Sequence, residues 1–160
     1  MNTHETNIGN TWDEMKIIRE VSNSAEHFYI DAVKLGDHAA QTLKASHRSQ
    51  LTSLETIAES TLKTSDVFDY VKKQTARFSY WRQPAKDSSE GFGERLKNYL
   101  EGNLAQRRDI ICRRLDIRNQ TEEQQQEQRR IHLLLIRQFI RQMVAQYEYA
   151  VSTGTKRRES

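Results

Sequence analysis

The sequence predicts an all-α protein in a single domain, and three observations lead to this. The 160 residues include one proline and six glycines, and 29% of them are charged. A chain with few turn-forming residues and many charged ones favours long helices with solvated outer faces. Along most of the chain the apolar residues recur at spacings of three and four, which is the helical period. We therefore expect either an antiparallel four-helix bundle or long helical hairpins that associate.

The chain divides into three parts by composition. The polar residues 1–10 are predicted to be a flexible N-terminus, and residues 11–150 to form the helical domain. The stretch 151–160 is short, polar and basic, and is predicted to be a disordered tail. A central loop is expected at 83–91, because Pro84 disfavours helix at the preceding residue and the Ser/Gly cluster supplies turn conformations.

The first helix is predicted to begin at a capping box, Thr11-Trp12-Asp13-Glu14. Beyond it, one narrow apolar stripe continues through Ile18, Val21, Ala25, Phe28, Ala32, Leu35 and Ala39. The alanines in this stripe predict a close approach to a partner helix.

Only Gly36, and no proline, lies between Trp12 and Gln83, so one very long helix is compatible with the sequence. A hairpin is favoured, because the polar residues 45–49 interrupt the apolar stripe. It would let a second helix pack on the first through Leu51, Leu54, Ile57 and Leu62. A weaker interruption at 63–66 predicts a kink in that second helix.

Two more helices are expected after the central loop. The third starts near Phe92 and carries Leu96, Leu100, Leu104, Ile111 and Leu115 on one face, with a local weakness at 101–103. A second capping box, Thr121-Glu122-Glu123-Gln124, predicts the start of the fourth. Its broad apolar face consists of His132, Ile136, Phe139, Ile140, Met143, Tyr147 and Ala150.

No reaction centre is recognisable. None of the five histidines has a glutamate three residues before it, so the Glu-x-x-His pairs of carboxylate-bridged metal sites are absent. His27, Asp31 and His38 share a helix face that we interpret as solvated, and we interpret His132 as a core histidine. Cys112, the single cysteine, is flanked by arginines, but an ordinary partly buried thiol is the simpler interpretation. We expect a protein that is not an enzyme and has no cofactor.

Arginine is the most informative remaining residue type. Residues 92–160 hold 14 Lys/Arg against 9 Asp/Glu, and residues 1–91 hold 11 against 13. Arg107, Arg114 and Arg118 lie close together on the third helix, and Arg130, Arg137 and Arg141 lie opposite the apolar face of the fourth. These two arginine rows, together with the aromatic residues Trp81 and Tyr149, are the predicted binding residues for a protein partner or for nucleic acid.

The favoured function is that of a non-catalytic helical interaction protein, with a protein partner or a second copy of the chain as its target. The alternative is a nucleic-acid-binding small subunit of a ribonucleoprotein that uses the arginine rows. The longest apolar run is far shorter than the ~20 residues of a membrane span. Together with the single cysteine, this makes a cytoplasmic location the expectation.

One short motif carries a resemblance. The pattern Phe139-x-Arg141-x-Met143-x-Ala145, followed by Tyr149, resembles the terminal helix of the small all-helical subunits of type III CRISPR effector complexes. The resemblance covers 139–149 only, and the segment 105–130 has no counterpart in it. It implies a helix that lines a nucleic-acid channel, and it identifies no family.

Overall fold

The computed structural model describes residues 12–159, with side chains through residue 154, and this part of the chain is all helical apart from turns and loops. Its α-helices are α1 (Glu14–His27), α2 (Tyr29–Thr42), α3 (Arg48–Ser60), α4 (Thr64–Arg77), α5 (Phe92–Asn98), α6 (Leu104–Arg114) and α7 (Glu122–Glu159).

The first helix begins at Glu14, the last residue of the predicted capping box. Thr11 lies outside the described residues, and the residue that caps α1 is Asp13, whose carboxylate accepts hydrogen bonds from the amides of Met15 and Lys16. A short aspartate side chain at this position satisfies amides that have no partner within the helix.

The predicted apolar stripe forms one buried seam along α1 and α2, although the helix is interrupted at Phe28. All of its members are buried except Ile18, which is 48% exposed, and Ile17 takes the core position instead. Gly36 belongs to the same seam: a Cβ atom built there would lie 2.6 Å from the carbonyl oxygen of Met143. The predicted close approach is therefore made between α2 and α7.

The chain reverses twice between α2 and the central loop, where the sequence predicts one reversal and one kink. The first reversal passes through the 3-10 turn Ala45–His47, and a hairpin rather than a single long helix is what forms. At the predicted kink the helix ends at Ser60 and α4 begins at Thr64. Because Gln50 bonds Tyr70 and Trp81 from α4 and the turn after it, α4 runs antiparallel to α3. Leu62, predicted to be a core residue, lies in this second reversal and is 91% exposed.

The third predicted segment is one helical rod with a defect in its middle. The loop 83–91 precedes it, as predicted, and α5 passes into α6 through the π-helical turn Tyr99–Asn103. This turn coincides with the predicted weak point 101–103. Glycine lowers the local helix propensity, and single π turns are the usual way to accommodate such a defect.

The second capping box forms as predicted. The amide of Gln124 donates to the Thr121 hydroxyl at 3.1 Å, and the Gln124 side-chain oxygen accepts from the Thr121 amide at 3.1 Å. From this start α7 runs to Glu159, so residues 151–159, for which the sequence predicts a disordered tail, continue the helix. No proline stops it, and Val151 packs against the core.

The last helix is the centre of the fold, because α1, α2, α3, α4 and α6 all pack against it. Residues 131–136 of α7 are consequently buried on almost every side, with Leu134 only partly so. The α1–α2 segment runs parallel to α7, whereas α3 and α6 run antiparallel to it. The contacts that set these directions are Glu14–Arg130, Ala25–Gln142, Glu59–Arg141, Arg48–Glu148 and Ile117–Gln128.

The described chain therefore forms five alternating segments instead of four, since the second reversal divides the predicted second helix. Within residues 12–159, no helix has both the length and the apolar character needed to cross a membrane.

Candidate interaction surfaces

The predicted arginine rows lie where the sequence places them, but their guanidinium groups have partners within the chain. Arg130 donates to both carboxylate oxygens of Glu14 and also contacts Glu127 at 2.9 Å. These two carboxylates raise the pKa of Arg130, and the largest cause is the hydrogen bond that Arg130 donates to Glu127. Arg130 therefore ties the start of α1 to α7.

Arg137 and Arg141 tie α3 to α7 in the same way. Arg137 donates to the carbonyl oxygens of Ala58 at 2.7 Å and Thr61 at 2.8 Å, which belong to the C-terminal end of α3. Arg141 makes two parallel bonds to the carboxylate of Glu59, at 2.5 and 2.7 Å. A cation at a helix C-terminus and a bidentate carboxylate pair are both favourable geometries.

The other row has weaker partners, and its Arg118 lies after the end of α6 at Arg114, not on the helix as the sequence predicts. Arg107 donates to the hydroxyl of Ser24, a fully buried residue of α1. Arg114 pairs with Glu20 at 3.0 Å, and Arg118 lies 3.4 Å from Asp116. All six predicted arginines thus lie at helix contacts or turns, and four of them pair with a carboxylate.

The two predicted aromatic residues have opposite environments. Trp81 is a core residue and not a surface anchor, because none of its surface is exposed and its indole N–H donates to Gln50 at 2.6 Å. Its indole packs against Phe92, which begins α5. Tyr149 is 65% exposed on α7 and is accessible to a partner.

Tyr149 lies on a groove that follows α7 beside α1 and α2. The upper part of this α1–α7 groove has a volume of about 510 Å³ and is lined by Tyr29, Arg141, Gln142, Ala145, Gln146 and Tyr149. The lower part is about 130 Å³ and is lined by Ile18, Val21, Ser22, Leu134, Arg137, Gln138 and Arg141. Arg141 lines both parts, and together they hold three of the predicted residues: Arg137, Arg141 and Tyr149.

Large apolar side chains are exposed mainly along this groove. In residues 12–154 they are Met15, Ile18, Tyr29, Ile30, Leu62 and Tyr149. Ile18, Tyr29 and Tyr149 line the groove, and Met15 lies three residues before Ile18 on the same side of α1. None of them belongs to α4, α5 or α6, and Ile30 and Leu62 lie outside the groove.

A run of exposed cations without acidic partners lies on a segment that the sequence analysis did not single out. Residues 70–86 contain Lys72, Lys73, Arg77, Arg82 and Lys86 and no Asp or Glu. All five side chains are exposed, and none of them takes part in the salt bridges of the described structure. A charge count in short windows finds this segment; counts over the two halves of the chain conceal it.

Two buried histidines are bonded in the same manner, each between a carbonyl and an arginine. His38 contacts the carbonyl oxygen of Gln83 through Nε2 at 2.8 Å and Arg95 through Nδ1 at 3.1 Å. A carbonyl only accepts, so Nε2 carries the proton and Nδ1 accepts from the guanidinium, which is the neutral form of the ring. Burial lowers the pKa of His38. The interpretation of a solvated face is therefore wrong for this residue.

His132 repeats the arrangement at the π-helical turn. Its Nε2 donates to the carbonyl oxygen of Leu100 at 2.8 Å, and its Nδ1 lies 3.3 Å from Arg108. Burial lowers its pKa as well, and its core position agrees with the prediction. The ring stabilises a carbonyl within the irregular turn, which is a structural task.

Two further groups considered in the sequence analysis are Cys112 and Asp31. Cys112 is buried, and burial raises its pKa to about 11, the opposite of what a nucleophilic thiolate requires. Asp31 is half-buried and accepts a hydrogen bond from Tyr99 at 2.7 Å. In the part of the chain that the structure describes, no three His, Cys, Asp or Glu side chains are placed to hold a metal ion.

Comparisons with known proteins add no name to this geometry. No family model, curated protein or solved structure matches the chain. The short resemblance at 139–149 is therefore not extended by any match.

Proposed function

We propose that the protein is a non-catalytic helical assembly protein of the cytoplasm, which associates with a second copy of itself through the α1–α7 groove. The observation that carries the proposal is the exposure of Ile18, Tyr29 and Tyr149 along that groove. Contiguous apolar surface with a polar rim is typical of protein interfaces, in which tyrosine and arginine are enriched.

The charges beside the groove favour a second copy as the occupant. Arg137 has carbonyl partners but no acidic one, and Glu55, on the neighbouring α3, has no ion pair in the described structure. Burial, and secondarily the nearby carboxylate of Glu59, raises the pKa of Glu55. A two-fold axis through this face would bring the Glu55 of each copy towards the Arg137 of the other, as an isologous interface requires.

Association through this face would also cover Tyr149, Ala145 and Gln138 of α7. These side chains would then lie against helices of the second copy. This is the pairing of helical hairpins, in a bundle-like arrangement, that the sequence predicts.

The test is sedimentation equilibrium of the wild type and two charge variants. We expect a dimer at tens of micromolar, and at least a tenfold weaker association for Ile18→Glu, because a buried unpaired carboxylate is costly. Ile30→Glu is the matched control, since Ile30 is 67% exposed and does not line the groove. A wild type that remains monomeric at about 100 µM, or equal weakening by both variants, would overturn the proposal.

The second function, nucleic-acid binding by a small ribonucleoprotein subunit, is favoured at this groove by one observation. Tyr29 and Tyr149 line the same pocket as Arg141, so a base could stack there. The bidentate pair with Glu59 leaves Arg141 without a free charge for phosphate. Loss of RNA binding in Tyr149→Ala would support this second function, and unchanged binding would remove it.

A further inference from the structure

We propose that the basic segment 70–86 binds single-stranded nucleic acid through Lys72, Lys73, Arg77, Arg82 and Lys86. This inference goes beyond the proposed self-association and uses a different surface. The segment carries five positive charges in 17 residues and no negative charge.

These charges are available to a ligand because no carboxylate neutralises them. Lys72, Lys73 and Arg77 are exposed on α4 and span about 140° of its circumference at 100° per residue. Asp69, one turn before the lysines, forms no ion pair with either of them in the described structure. Neutralising phosphates with free cations releases counterions, which is the main source of affinity in such contacts.

The end of α4 adds a stack of flat groups to the charges. The guanidinium of Arg77 lies 5.5 Å from the centre of the Phe78 ring. The Phe78 ring stacks on Tyr80 at 5.3 Å, and Tyr80 stacks on His47 at 3.8 Å. Phe78, Tyr80 and His47 are all partly exposed.

This stack favours nucleic acid over an acidic polypeptide. Unpaired bases stack on aromatic rings and on arginine planes, whereas an acidic peptide needs only the charge. Arg82 adds a positive charge to the site and remains accessible to a ligand. Its Nη1 holds the carbonyl oxygens of Thr75 and Ala76 at the end of α4, and the residue is exposed.

The basic segment and the α1–α7 groove are separate surfaces. The helix α4 packs mainly on α3 and α5, and no residue of 70–86 lines the groove. Failure of one proposal therefore leaves the other standing.

The experiment is fluorescence anisotropy of the full chain with labelled oligo(U), oligo(dT) and a DNA duplex between about 50 and 300 mM salt. The test variant is Lys72→Gln/Lys73→Gln/Arg77→Gln. Its matched control is Lys16→Gln/Arg19→Gln/Lys34→Gln, which removes three exposed, unpaired cations of α1 and α2. Both variants change the net charge equally, and circular dichroism checks that each is folded.

We expect the wild type to bind the single strands more tightly than the duplex. The test variant should lose about 2 from the slope of log Kobs against log salt, because three contacts release about 0.7 counterion each. The control should keep the wild-type slope. Arg77→Lys should weaken binding several-fold with the slope unchanged, because it keeps the charge and removes the planar group.

Three results would overturn the inference. One is no binding at about 50 mM salt, and another is equal losses in the test variant and the control. The third is displacement of the oligonucleotide by poly-glutamate at equal charge concentration, which would indicate an acidic protein as the partner.

Discussion

The arginine row of α7 and the basic segment of α4 have similar charge in the sequence and different roles in the structure. Arg130, Arg137 and Arg141 each hold α7 to another helix through carboxylates or carbonyl oxygens. Lys72 and Lys73 are exposed and form no ion pair in the described structure. A positive residue indicates a binding partner only when its hydrogen bonds and ion pairs within the chain are known.

The difference follows from position in the fold. The helix α7 is central, so its polar side chains emerge at junctions with α1 and α3, where acidic residues and helix ends are close. The helix α4 lies at the edge and turns one side to water. We therefore expect changes in the arginine row to alter stability, and changes in the basic segment to alter binding.

The largest expected effect concerns the buried neutral histidines His38 and His132, which lie beside the partly exposed arginines Arg95 and Arg108. The folded pKa of both histidines lies below the unfolded value of 6.5. The unfolded state therefore binds more protons, so stability is full above about pH 6.5 and falls as the pH drops below it.

Stability is expected to fall between pH 6.5 and pH 5, because each of these two buried histidines takes up a proton on unfolding. Urea unfolding at several pH values measures this fall. The double variant His38→Gln/His132→Gln should lose most of this dependence, and an equally steep profile in that variant would assign the effect to other groups. Glu59 and Asp87, whose pKa values are lowered by hydrogen bonds from arginine, contribute at more acidic pH.

The next effect is a difference in stability between a variant of the arginine row and a variant of the basic segment. Arg137→Ala should lower the free energy of unfolding by about 2 kcal/mol, because a charged donor is removed from two carbonyl groups. Lys73→Ala, the matched change on α4, should stay within about 0.5 kcal/mol of the wild type. Chemical denaturation measures the free energy of unfolding of both variants. Equal losses would contradict the proposed difference between the arginine row and the basic segment.

A smaller effect is expected for the bidentate pair of Arg141 and Glu59. Both side chains are partly solvated, so a double-mutant cycle with Arg141→Gln and Glu59→Gln should give a coupling of about 0.5–1 kcal/mol. The same cycle for the exposed pair Arg118–Asp116, at 3.4 Å, should give a coupling close to zero. A coupling of zero for Arg141 and Glu59 would show that this arginine is free for a ligand.

Local signals in the sequence predict much of this fold. The capping box at Thr121 and the loop after Pro84 are confirmed because the residues that make them are neighbours in the chain. The apolar seam of α1 and α2 is predicted apart from Ile18. The reversal at 61–63 is not predicted from the sequence, because it contains neither proline nor glycine and depends on how α4 packs against α3.

The surfaces are harder to predict, because they depend on contacts distant in sequence. The bond between Glu14 and Arg130 joins residues 116 positions apart. The burial of Trp81 depends on α5 and on the side chain of Gln50. Composition also conceals the segment 70–86, because its positive charge is balanced by acidic residues elsewhere in the first half.

The most direct test of the contrast is retention on heparin, a polyanion with no bases. Two triple variants remove the same charge: Lys72→Gln/Lys73→Gln/Arg77→Gln and Arg114→Gln/Arg130→Gln/Arg141→Gln. We expect the α4 variant to elute at clearly lower salt than the wild type, and the arginine variant to elute close to it while losing stability. Elution of the arginine variant at the lower salt concentration would contradict the account, because it would show that those guanidinium groups are the ones available to a partner.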